Sequence, residues 1–91
     1  MAATMNERDS HELAGELAEK LTQLTGFPFE EGYTTWRKTV VIRGKEYEDG
    51  PDIARLEFKG STWYDVWCSI ASTYNTIDAL IDIDKHFKHK E

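Results

Sequence analysis

The chain has 91 residues, 31% of them charged and 12% aromatic, a formal net charge of −6 at pH 7 and one cysteine. That length holds one domain and no second core, and burying roughly 60–65% of the unfolded surface leaves little surplus stability. The acidity works against binding a nucleic-acid backbone, which is driven by neutralising phosphates, and the lone Cys68 excludes an intrachain disulfide.

The first ten residues lack the basic start and apolar run of a secretory signal, and no apolar stretch approaches the roughly 20 residues that span a bilayer. The expectation is cytoplasmic residence, of a cell or of an infected host, with no membrane partner. Charge is unevenly placed. Residues 1–32 carry seven acids against two bases, residues 33–60 five acids against six bases, and residues 61–91 five acids against three bases.

Residues 1–8 show no apolar period and read as a flexible tail ahead of one α+β domain over 9–91. Asp9 or Ser10 suits a helix cap, with Glu12 completing a capping box after Asp9. Leu13, Ala14, Leu17, Ala18, Leu21 and Leu24 recur at spacings of three and four and mark one buried face. Glu12, Glu16 and Glu19 fall on the opposite side as an acidic ridge. Gly26 is the expected stop, with Phe27 folding back on the last turn and Pro28 preventing continuation.

Glu30 and Glu31 belong to the following loop. Residues 33–43 are rich in β-branched and aromatic types and read as a long strand, with Trp36, Lys38, Val40 and Ile42 in one row. Tyr33, Thr35, Arg37, Thr39, Val41 and Arg43 take the wetter face. Gly44 and Lys45 read as a turn, residues 45–48 as a short second strand, and 49–52 as a break. A third strand over 53–58 turns Ala54, Leu56 and Phe58 inward. Ser61 or Thr62 caps a second helix, Thr62 and Asp65 forming another box, with Trp63, Val66, Trp67, Ile70 and Tyr74 on its apolar face. Near Asn75 the apolar register shifts to Ile77, Leu80, Ile81, Ile83 and Phe87, which predicts a kink or a split into a third helix. The order is α-β-β-β-α, a short antiparallel sheet packed against N- and C-terminal helices.

Residues able to carry chemistry are sparse. Asp82, His86 and His89 share one helical face, but Lys85, Lys88 and Lys90 beside them repel a divalent cation. Asp78, Asp82 and Asp84 lack calcium-loop spacing. Glu46, Glu48, Asp49 and Asp52 collect where turns ordinarily place acids, with no nucleophile beside them. Cys68 sits at the margin of its helix's apolar face, away from any histidine. No phosphate-binding loop, nucleophile elbow or paired Cys-x-x-Cys occurs. The expectations are no catalytic residues, no metal and no cofactor.

Tyr33, Trp36, Arg37 and Lys38 interleave aromatics with bases, as a single-stranded nucleic-acid platform does, yet alternation divides them between two faces. The α-β-β-β-α order is also that of double-stranded-RNA-binding domains, but the basic start of their second helix is absent here. The favoured reading is a non-enzymatic module that binds a protein partner with a basic surface. Its contacts are Glu12, Glu16, Glu19, Glu30 and Glu31, with Tyr47 and Tyr64 as exposed aromatics. Its pointed form is an acidic inhibitor that mimics nucleic-acid charge, as small viral anti-defence proteins do. The alternatives are a homodimeric assembly subunit paired through its C-terminal helices and a single-stranded nucleic-acid binder using residues 33–38.

Overall fold

The computed structural model describes residues 7–32 and 38–88. Within them the order is α1 (Glu7–Thr25), β1 (Phe29–Gly32), β2 (Thr39–Lys45), β3 (Asp52–Lys59) and α2 (Trp63–Lys88). This is the expected α-β-β-β-α arrangement, with a three-stranded antiparallel sheet ordered β1-β2-β3.

The apolar period of α1 is realised as expected: Ala14, Leu17, Ala18 and Leu21 are buried. The helix starts earlier than its cap-like residues suggested. Glu7 and Arg8 are helical rather than part of a tail, so Asp9 and Ser10 are inside the first turns. Ser10 is fully buried, and its hydroxyl donates to the Trp63 carbonyl at 3.3 Å. At the other end Gly26 takes φ +80°, a left-handed conformation that glycine adopts without steric cost, and its N–H donates to the Thr22 carbonyl. Phe27 is left 42% exposed. Thr22 makes the connection, its hydroxyl accepting from the Phe29 N–H at 2.9 Å and donating to the Ala18 carbonyl.

The strands fall differently from the expectation. Residues 29–32, read as loop, form β1, and Phe29 opposite Gly44 shows why. A β-carbon on Gly44 would stand 2.5 Å from the Phe29 ring, so this glycine is a seat for an aromatic within a strand and not a turn. β2 therefore runs on to Lys45, with its irregularity between Gly44 and Lys45. The expected strand at 45–48 is absent. Lys45 ends β2, and residues 46–48 belong to the β2–β3 connection, closed by Gly50 N–H to the Tyr47 carbonyl (2.8 Å) and Glu46 N–H to the Pro51 carbonyl (3.1 Å). Of the long strand expected over 33–43, residues 33–37 lie outside the described residues, and Lys38 is exposed rather than in the inward row.

Alternation holds where it was strongest. Val40 and Ile42 are completely buried and join Phe58 beneath the helices, with Leu56 packed against them. Val41, expected on the wetter face, is buried as well at 4% exposure. α1 packs on β1 and β2, while α2 packs on β3 and along α1. Contacts of Ser10 with Trp63 and of Lys20 with Asp78 show that the two helices run in the same direction.

α2 is one uninterrupted helix through Asn75, not two. Its inward stripe continues as Val66, Ile70, Tyr74, Ile77 and Ile81, at spacings of four, four, three and four. The apparent register shift arises because Leu80, Ile83 and Phe87 form a second, outward stripe. Its start matches expectation: the Thr62 N–H donates to Asp65 Oδ2 (3.2 Å) and the Asp65 N–H to Thr62 Oγ1 (3.1 Å), a reciprocal capping box.

Candidate interaction surface

The acidic ridge stands on the solvent side of α1. Glu12, Glu16 and Glu19 are all exposed, on consecutive turns opposite the buried row. Arg8 reaches Glu12 at 3.3 Å; among the described residues no base reaches Glu16 or Glu19. At the helix border Lys20 turns the other way. It meets Asp78 of α2 at 3.0 Å and lies 5.8 Å from the Tyr74 ring centre. The hydrogen bond and charge of Asp78 raise the Lys20 pKa above its ordinary value.

Glu30 and Glu31 do not extend this ridge. As neighbours in a strand they point to opposite faces. Glu30 lies on the outer face, 2.9 Å from Lys45 Nζ and 4.0 Å from Arg43, and the Lys45 hydrogen bond holds its carboxyl below the ordinary value. Glu31 turns toward α1 and meets His11 Nδ1. His11 also lies 3.6 Å from Glu7, its ring centre 6.1 Å from that of Trp63. Glu7, Arg8, His11 and Glu31 line a cavity of about 430 Å³. Sequence reasoning passed over His11; the Glu7/His11 spacing of four was its one visible signal.

The outer face of the sheet carries charged residues on all three strands. Arg43 and Arg55 stand directly opposite each other, a repulsive pairing relieved by acids on both sides. Arg43 lies 4.0 Å from both Glu30 and Asp52, and Arg55 lies 2.9 Å from Glu57. Glu57 also meets Lys59 at 3.4 Å. Its carboxyl is lowered, chiefly by the Arg55 hydrogen bond and then by that of Lys59.

Tyr47 and Tyr64 are 60% and 59% exposed. The hydrogen bond with half-buried Cys68 pushes the Tyr64 hydroxyl pKa up. Leu80, Ile83 and Phe87 add an exposed apolar stripe on α2 that sequence reasoning merged with the buried one. Tyr33, Trp36, Arg37 and His89 lie outside the described residues. Asp82 and His86 are exposed, His86 edge-on to Phe87, while Asp84 pairs with Lys88 at 3.1 Å. Glu46, Glu48 and Asp49 line the exposed β2–β3 turn.

Among the described residues, no group of three or more His, Cys, Asp or Glu side chains is placed to hold a metal ion. No described helix is long and apolar enough to cross a membrane. No protein-family model matches the chain, and no match to it is found among curated proteins or solved structures.

Proposed function

We propose that this chain is a non-enzymatic binding module that engages a basic protein surface through Glu12, Glu16 and Glu19 on α1. The supporting observation is the contrast in pairing: Glu16 and Glu19 are exposed without a base among the described residues, whereas the acids of the sheet are matched to bases. Carboxylates without an internal counter-ion are the ones that steer and orient a cationic partner.

The ridge favours a patch of a few Lys or Arg side chains over a complete nucleic-acid groove. Its carboxylates rise along the helix by about 6.0 and then 4.5 Å. Phosphates along one DNA strand repeat at about 3.4 Å, so charge mimicry by the ridge alone is sparse. Arg8 further neutralises one end.

Titration with a Lys/Arg-rich peptide at low and high salt tests the reading. Binding should weaken about tenfold or more between about 50 and 200 mM salt, and should be lost in the triple variant Glu12→Gln/Glu16→Gln/Glu19→Gln. Equal binding by that variant would contradict it.

A further inference from the structure

We propose that the free edge of β3 is a self-pairing surface, on which a second copy of this chain adds its own β3 antiparallel to make one six-stranded sheet. The proposal uses none of the ridge carboxylates and stands apart from the function argued above.

Among the described residues β3 pairs with β2 alone, which leaves one side of an eight-residue strand with unused backbone groups. The opposite edge, β1, is four residues long. Natural sheets guard exposed edges by shortness, proline, bulges or unmatched charge. From Ile53 to Lys59 there is no proline, and the irregularity of the β2–β3 ladder is confined to Ile53 at the start of the strand, which the register skips, so that Ala54–Lys59 pair without interruption. The apolar layer also stops short at this edge. Val40 and Ile42 are fully buried, while Ala54 and Leu56 on the same face of β3 are half-buried.

Charge is what selects a copy of the chain as the occupant. A two-fold axis through Leu56 places Arg55 opposite the partner's Glu57, and Glu57 opposite the partner's Arg55. The Arg55–Glu57 contact now made within the strand at 2.9 Å is thereby repeated across it. On the inner face Leu56 meets its own copy, and the large Phe58 meets the small Ala54. On the outer face the Lys59 stem lies over Ile53, which is 50% exposed in the isolated chain. Neighbouring two-fold registers fail. Centring on Arg55 opposes two arginines, centring on Glu57 opposes two glutamates, and an odd-numbered slip sends apolar residues to the charged face.

The rival self-association surface is Leu80, Ile83 and Phe87. On the helical wheel this stripe lies opposite the α2 side marked by Tyr74 and Asp78, which meet Lys20 of α1.

Sedimentation equilibrium with charge reversal decides the matter. The natural chain should reach twice its 10.5 kDa mass as concentration rises. Arg55→Glu alone and Glu57→Arg alone should each weaken association about tenfold or more, while an equimolar mixture of the two variants, and the double swap in one chain, should restore it. Circular dichroism of each variant confirms that the fold is kept. In the dimer, alternate β3 amides should also gain hydrogen-exchange protection. A chain that stays monomeric, or a dimer indifferent to these reversals but lost on Ile83→Asp, would overturn the proposal.

Discussion

The ridge of α1 and the outer face of the sheet are built from the same residue types and reach opposite electrostatic outcomes. On the sheet, Glu30, Asp52 and Glu57 interleave with Arg43, Lys45, Arg55 and Lys59, so each acid has a base within 4.0 Å. On α1, Arg8 alone among the described residues meets the ridge, at its N-terminal end. Net charge therefore locates nothing by itself. Strand geometry sets acids and bases side by side, whereas a helix with its acids on consecutive outward turns leaves them facing solvent.

Substitutions can separate the two regions, beginning with the core beneath both. Leu17 and Ile42 are completely buried, one on the helix and one on the sheet. Either one changed to Ala should cost about 2–5 kcal/mol in urea unfolding. Gly44→Ala should come next, at about 1–3 kcal/mol, because the new methyl enters the space of the Phe29 ring. It would disturb β1 and the Glu30 contacts while leaving the ridge in place. Thr62→Ala removes half of the capping box and should cost about 0.5–2 kcal/mol. Glu16→Gln should change stability by no more than about 0.5 kcal/mol, as expected of an exposed side chain with no ion pair among the described residues.

The pH dependence of unfolding sharpens the same contrast. Glu30 and Glu57 have folded pKa values below the ordinary 4.5, so their contribution is present above that value and is lost as pH falls through the folded pKa. Glu30→Gln/Glu57→Gln should flatten the acid limb of a stability-versus-pH curve. Lys20 behaves in the opposite sense. Its raised pKa gives a contribution fully present below 10.5 and lost as pH rises through the folded value, so Asp78→Asn should flatten the alkaline limb.

Much of this architecture was legible in the residues. The three-four spacing of α1, the Gly26 stop, the Thr62/Asp65 box and the inward row of β3 follow from local geometry, and all are realised. Local pattern failed where a distant partner decides the outcome. Gly44 looks like a turn until the Phe29 ring is seen to occupy its missing side chain. Residues 29–32 contain two adjacent acids and no apolar alternation, and they become a strand because β2 and His11 receive them. Leu80, Ile83 and Phe87 read as core because periodicity records apolar residues without recording whether anything covers them. Of the surface residues singled out in advance, Glu12, Glu16, Glu19, Tyr47 and Tyr64 are exposed as read. Glu30 and Glu31 are drawn into contacts within the fold.

The most direct measurement sets two isoelectric variants against one cationic peptide. Glu16→Gln/Glu19→Gln and Glu30→Gln/Glu57→Gln each remove two negative charges, one pair from the ridge and one from the sheet. Calorimetric titration at fixed salt should show binding of the Lys/Arg-rich peptide collapsing for the ridge pair and persisting for the sheet pair. Equal loss in both would show that only overall charge attracts the peptide, and the assignment of a binding face to α1 would fall.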